Sequence, residues 1–444
     1  MTAETIFAPS TGAGPAGLAV IRVSGPAAGA ALAAVTGRDL PQPRRATMAD
    51  IKAADGTPID SGLVLWFPGP ASFTGEDVAE LHLHGGRAVV AATLEALGSC
   101  PGLRLAEPGE FTRRAFEAGK LDLTEAEGLA DLINAETEAQ RHQALRQMQG
   151  GLSDLYEDWR QRLLNTLAHM EAEIDFSDED LPDGVAAEAR RDIADLAAEI
   201  DAHLADDHRG ERLRDGIHLA IIGPPNAGKS SLLNLLARRD AAIVSATAGT
   251  TRDVIEVHLD LGGYPVVVAD TAGLREAEAD DIEAEGVRRA RLRAQDADLK
   301  LAVLDGQDWP EADPVTAALV DGDTIAVINK SDLKKPDGNL QINDRPVLTI
   351  SVKTGDGIDG LLEALGREVA GRFPAAASPA LTRARHREAL EDCRESLART
   401  PGGQAIELET EDLRLAVRAL GRITGRVDVE DLLDVIFQDF CIGK

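Results

Sequence analysis

One octapeptide limits what this chain can fold into: Gly223-Pro224-Pro225-Asn226-Ala227-Gly228-Lys229-Ser230. An apolar run, residues 217–222, precedes it and reads as a buried parallel strand. Residues 231–237 follow, with Leu232, Leu233, Leu235 and Leu236 at helical spacing. Strand, G-x-x-x-x-G-K-S and helix, in that order, is the setting of a phosphate-binding loop. Glycines let successive backbone N–H groups converge on an anion, and the helix N-terminus adds its dipole. Lys229 then reaches the β- and γ-phosphates, the backbone of Asn226, Ala227, Gly228 and Ser231 surrounds them, and the Ser230 hydroxyl binds Mg²⁺. The bland alternative is a glycine turn between a strand and a helix; the Lys-Ser pair argues against it.

Around this loop the chain changes character three times. Residues 1–120 are mixed: 18–23 and 62–67 read as strands, 78–84 alternates with period two, and 27–35 and 87–97 read as helices. The glycine-rich stretch 12–17 lacks the strand-to-helix setting of a dinucleotide fingerprint. Residues 121–215 carry Leu129, Leu132, Ile133, Leu145, Met148, Leu152, Leu155, Trp159, Leu163, Leu167 and Met170 at helical intervals, interrupted by an acidic stretch at 175–183. Residues 216–374 alternate strand and helix, with further strands at 254–259, 266–269, 299–304, 324–328 and 347–350, as in a doubly wound sheet. Residues 375–444 turn helical again, through 381–397 and 413–420 to a last helix, 429–440, that Asp428 can cap. The expectation is a multidomain α+β and α/β chain, with an α/β nucleotide domain inserted into a helical one.

Four further stretches narrow the nucleotide to GTP. Thr250-Thr251-Arg252-Asp253 lies in a polar loop before a strand, where a threonine can close over Mg²⁺ and the γ-phosphate. Asp270-Thr271-Ala272-Gly273 follows a strand, which suits Asp270 to the metal's outer shell and the Gly273 N–H to the γ-phosphate. In Asn329-Lys330-Ser331-Asp332 a carboxylate can accept from guanine N1–H and the 2-amino group; adenine lacks both donors. Ser351-Val352-Lys353 can line the base from the other side. These motifs resemble the translation-factor-like GTPases of the TRAFAC class. One departure matters: the residue after Asp-x-x-Gly is Leu274, which cannot orient water, and Glu283 is the candidate replacement beside its plainer reading as a solvated helix-start carboxylate. With no arginine finger evident, Asn226 and the loop carrying Ser245, Thr247 and Thr250 can offer oxygens to a K⁺ in its place.

The chain ends in Cys441-Ile442-Gly443-Lys444 and contains Ala19-Val20-Ile21-Arg22-Val23-Ser24-Gly25, Glu80-Leu81-His82-Leu83-His84-Gly85-Gly86 and Glu107-Pro108-Gly109-Glu110-Phe111-Thr112. By these, over its whole length, it resembles the MnmE (TrmE) family of tRNA uridine 5-carboxymethylaminomethyl modification GTPases. The resemblance implies a folate-binding-like N-terminal domain that mediates homodimerisation and holds 5-formyl- or 5,10-methylene-tetrahydrofolate through Arg22, Glu80, Lys120 and Lys444. It implies a Ras-like GTPase domain with a K⁺ site at Asn226, Ser245, Thr247 and Thr250, Mg²⁺ on Ser230 and Thr251, and Glu283 as catalytic carboxylate. It implies the FAD-binding flavoprotein MnmG (GidA) as partner and the wobble uridine of certain tRNAs as substrate. On sequence alone Arg22 also reads as an edge-strand arginine, Glu80 as a cross-strand carboxylate and the lysines as frayed.

Other features are weighed the same way. Cys441 is an incidental exposed thiol or, beside Lys444, a transient thiolate or acid–base group of the one-carbon site. His82 and His84 share a strand face, but no third metal ligand is evident and a structural role is favoured. The net charge of −30 argues against a broad electrostatic grip on RNA or an anionic membrane. Local patches at Arg113, Arg114 and Lys120, or at Arg288, Arg289, Arg291 and Arg293, are the candidates for tRNA contact. No run of membrane-spanning length or signal-like start is present, so a cytoplasmic place is expected. The rival reading is a ribosome-assembly switch of the Era or Der type, against which stand the missing basic RNA module and the acidic charge.

Overall fold

The structure is a computed structural model that describes residues 4–12, 14–175, 185–239, 241–243, 256–269, 297–336, 340–374, 379–400, 405–427, 430–438 and 440–443. The chain divides into two compact units: Met1–Ala130, Met148–Ala189 and Arg399–Lys444 make the first, Asp131–Gln147 and Arg190–Ala398 the second. Among the described residues no helix is long and apolar enough to cross a membrane.

The first unit holds a six-stranded sheet of β1 (Thr5–Pro9), β2 (Ala16–Ser24), β3 (Thr47–Lys52), β4 (Pro58–Phe67), β5 (Val78–Gly85) and β6 (Leu103–Leu105), in the order β3-β4-β5-β2-β1-β6. Pairing is antiparallel except between β1 and β6. The period of two expected in β5 puts Ala79, Leu81 and Leu83 into a core shared with Ile21, Val23, Trp66, Leu32 and Leu97. Arg22, Glu80 and His82 therefore project from the opposite face. There a smaller core of Ile6, Ala8, Ala106 and Phe111 seats the helix Glu110–Glu117. Strands β1, β3 and β6 and that helix were not among the expected elements. In the helical part, Gly151–Asp175 lies along Ile406–Thr424. Its buried stripe is Leu152, Tyr156, Trp159, Leu163, Leu167 and Met170. Tyr156 takes the place expected of Leu155, because one residue in 3.6 turns inward. Ile133, expected in the apolar stripe, is exposed; Leu123, Ala126 and Ala130 face Leu433, Phe437 and Phe440 instead. Asp175, expected to open the loop through 183, ends the helix Gly151–Asp175 instead, and residues 176–183 and the expected cap Asp428 lie outside the described residues.

The second unit holds a seven-stranded sheet of β7 (Ile217–Ile222), β8 (Glu256–Leu261), β9 (Tyr264–Ala269), β10 (Leu299–Asp305), β11 (Thr324–Asn329), β12 (Gln341–Ile342) and β13 (Arg345–Thr349). Their order is β12-β13-β11-β10-β7-β9-β8. The five inner strands are parallel, and β8 and β12 are antiparallel at the edges. One face packs on the helices Lys229–Leu236 and Ile358–Arg372, the other on Trp309, Val320 and the helix Pro314–Leu319. Both faces being covered explains why β7, β10 and β11 read as near-continuous apolar runs. Segment Asp131–Gln147 joins this unit by hooks on the β8–β9 hairpin: the Ala139 N–H donates to Gly263 O at 3.0 Å, and His258 Nδ1 lies 3.1 Å from Glu136 Oε2. Arg214 and Arg383 both hold Asp131.

Candidate functional site

The phosphate loop leaves β7 at the carboxyl end of the parallel sheet, where ligands of such sheets bind. Gly223 has φ +148, and a Cβ there would stand 2.2 Å from Val303 O. Gly228 has φ +98, and its Cβ would stand 2.3 Å from Asn329 Nδ2. Both glycines are dictated by close approach. Asn226 takes the left-handed region at φ +63 and is exposed at the loop's outer edge. Asparagine tolerates this better than most residues. The helix begins at Lys229, two residues earlier than its leucines suggest, so the amides of Lys229, Ser230 and Ser231 are all in its first turn. Lys229 Nζ donates to Gly223 O at 2.9 Å and Pro224 O at 2.8 Å, folding the ammonium across the loop's concave side.

The base end is built at the tips of β11 and β13. Asn329, 3% exposed, donates from Nδ2 to Ala227 O at 2.8 Å and accepts the Val352 N–H on Oδ1 at 3.1 Å. One amide thus ties the phosphate loop to both base-reading segments. Ser351 donates to Asp332 Oδ1 at 2.7 Å, aiming a carboxylate that is otherwise exposed. Lys330, at φ +64, places Nζ 2.5 Å from Asp305 Oδ2, a contact with no local sequence signal. Lys353 is exposed beside them. Ser245, Thr247, Thr250, Thr251, Asp270, Gly273, Leu274 and Glu283 lie outside the described residues. So do the arginines of 288–293.

In the first unit Arg22 and Glu80 are cross-strand partners, 2.9 Å apart, on the inner strands β2 and β5. The edge-strand reading of Arg22 is thereby corrected, and the cross-strand reading of Glu80 holds. The Arg22 guanidinium lies 5.6 Å from the Phe73 ring and 5.8 Å from that of Phe111. Lys120 is not frayed at its backbone: its N–H donates to Ala115 O at 2.8 Å, and its side chain passes Gly75. The loop holding Phe73 and Gly75 therefore touches both Arg22 and Lys120. Cys441 is exposed. The tail around it is held at the carboxyl end of β1. Ile442 bridges Pro108, and Ser10 Oγ donates to Gly443 O at 3.0 Å. Lys444 is outside the described residues. His82 lies against Glu80 at 3.2 Å and His84 against Asp60 at 2.9 Å, and among the described residues no metal-ligand cluster forms. Arg113 pairs with Glu117 and Asp434, and Arg114 with Glu76 and Glu110, so neither is an uncommitted patch for RNA.

A glycine cradle with a lysine laid across it, joined through a buried asparagine to a seryl-braced aspartate, defines the class: a P-loop GTPase. Comparison with known families is finer. The family description "MnmE helical domain" matches residues 123–441 and "GTP-binding protein TrmE N-terminus" matches 5–120. The tRNA modification GTPase MnmE of Paramagnetospirillum magneticum is 59% identical over 441 residues, covering 99% of this chain and 100% of that protein. A human mitochondrial protein, 5-taurinomethyluridine-[tRNA] synthase subunit GTPB3, is 52% identical, covering 99% of this chain and 93% of that protein. The chain belongs to the MnmE family of tRNA modification GTPases. Among solved structures, Era in complex with MgGDPNP and a segment of 16S ribosomal RNA matches 40% of this chain and 66% of that one at 25% identity, with a TM-score of 0.27.

Proposed function

We propose that the chain hydrolyses GTP in a K⁺-dependent cycle, and that this cycle governs addition of an aminomethyl-type group to C5 of the wobble uridine of certain tRNAs. It works as a homodimer with the flavoprotein MnmG and draws its carbon from a tetrahydrofolate, in the cytoplasm. Residues 216–374 do the nucleotide work, and 1–120 with the tail do the one-carbon work. Residues 121–215 and 375–444 link them.

Hydrolysis transfers the γ-phosphoryl group to water: the bond to the β–γ bridging oxygen breaks, and GDP and inorganic phosphate leave. Lys229 and the first-turn amides meet the charge that develops on the phosphate oxygens. Mg²⁺ on Ser230 and Thr251, and K⁺ on Asn226, Ser245, Thr247 and Thr250, supply further positive charge when bound. Leu274 cannot orient the water, so Glu283 takes that role. The glycine cradle supports the anion, because any Cβ would fill it.

The observation that carries the one-carbon half is the seating of the Cys441 tail at the end of β1, where Gly443 packs on Pro9, one residue beyond Ala8, the register partner of Arg22. A cation, a carboxylate and aromatic rings fit a pterin and its glutamate. Two measurements test the reading. Turnover of GTP should fall at least tenfold when K⁺ is replaced by Na⁺; equal rates remove the K⁺ site. Wobble nucleosides from cells lacking the gene should regain the modification with the intact chain and not with one truncated before Cys441.

A further inference from the structure

The end of β10 surrounds the base-reading segment. Asp305 and Asn329 are partners in the parallel ladder between β10 and β11. The Asp305 carboxylate, 12% exposed, takes Lys330 Nζ at 2.5 Å on one oxygen and the Gln307 N–H at 3.0 Å on the other. The Gly306 N–H donates to Asn329 O at 2.8 Å, and a Cβ at Gly306 would stand 2.6 Å from that same oxygen. Lys334 Nζ donates to Gln307 O at 3.1 Å and to Trp309 O at 2.8 Å. Trp309 is 7% exposed and anchored in the core. Four bonds thus clasp residues 305–309 to residues 329–334.

We propose that residues 305–309 are the positioning frame of guanine recognition, with Asp305 acting through Lys330. The inference rests on the assignment of Asn329–Asp332 to the guanine base. Lys330 sits in a left-handed backbone conformation, which a lysine does not favour by itself. Its ammonium is held at the tip of β10, the strand between β11 and the phosphate-loop strand β7, by a carboxylate that is nearly buried. An unpaired lysine would sample many rotamers. Pinned by Asp305, its stem keeps one course along the edge of the base site. The frame's bonds run to residues 329–334 and reach the phosphate loop through Asn329, which donates to Ala227 O, a contact that GTP and GDP share, so the frame acts on both alike.

The test titrates the full chain with a fluorescent GDP and with GTP, and measures turnover. Asp305→Asn should weaken both nucleotides by the same factor, about tenfold for a charge-assisted bond, with kcat at saturation within about twofold. In a Lys330→Met background the same change should alter Kd by less than about twofold, since the group it acts through is gone. Asp305→Glu should restore part of the loss, and it stands in should Asp305→Asn not fold. Affinity unchanged in Asp305→Asn, or an undiminished effect on top of Lys330→Met, overturns the frame. GDP affinity unchanged in Asp332→Ala would remove the guanine assignment itself, and the frame with it.

Discussion

Gly443→Ala should release the tail and leave the fold standing. Gly443 has φ +95, and a Cβ there would meet Pro9 O at 2.0 Å and Pro9 C at 2.8 Å. Pro9 ends β1, whose Ile6, Phe7 and Ala8 are buried, so the strand cannot yield and the tail must. What would be lost is small and countable. Ser10 Oγ donates to Gly443 O, Ile442 bridges Pro108, and the Gly109 N–H reaches Cys441 O at 3.5 Å. The Gly109–Cys441 bond is itself what makes the Pro108–Ile442 bridge, so two hydrogen bonds at about 1 kcal/mol net each hold the tail by about 2 kcal/mol. Alanine in the left-handed region costs about 1–2 kcal/mol, and the clash adds to it. The balance shifts from a docked tail to a largely released one. Phe437 and Phe440, with ring centroids 5.4 Å apart, stay packed on Leu123 and Ala126, so the unit stays folded and melting should fall by no more than about 8 °C. Hydrogen exchange of the Gly109 amide should accelerate at least tenfold, and wobble-uridine modification should fall with it. Unchanged protection at Gly109, or a collapse of the melting temperature, would refute the reasoning.

Two further outcomes are expected. Ser351→Ala removes the donor that aims Asp332; Ser351 is fully buried and its bond is 2.7 Å, so about 1–2 kcal/mol, or roughly tenfold in GDP affinity by equilibrium titration, should go. Burial alone would raise the Glu110 carboxyl, but hydrogen bonds from Arg104, the Glu107 amide and Arg114 outweigh it and hold it below its ordinary value of 4.5. A carboxyl lowered in the folded state gives stability that is present above the ordinary value and is lost as pH falls toward the folded one. Glu110→Gln should therefore flatten the fall in melting temperature below about pH 4.5 relative to the parent chain.

Much of the second unit was legible because its strands are buried on both faces and their ends carry the chemistry. Residues 217–222 announce β7, and the tetrapeptide at 329–332 lies at the tip of β11, where a parallel sheet puts its ligands. The first unit was harder. β1 is five residues long and β6 three, too short for a period to register, and β3 mixes Thr47, Asp50 and Lys52 with its apolar residues. The helix Glu110–Glu117 has only Phe111, Thr112 and Ala115 buried, a stripe too narrow to stand out. Asp305 escaped for another reason: its partner is 25 residues away, and an aspartate at a strand end has no pattern of its own. The same holds for Glu136 and His258, joined only by the fold.

The buried amide of Asn329 has a consequence for what the pocket can admit. It spans from Ala227 to Val352, so the place where phosphates are gripped and the place where the base is read are set at a fixed interval by two hydrogen bonds of one side chain. The pocket is in that sense a gauge. A molecule whose ring and phosphates are separated by more or less than one pentose would have to surrender one of its two holds.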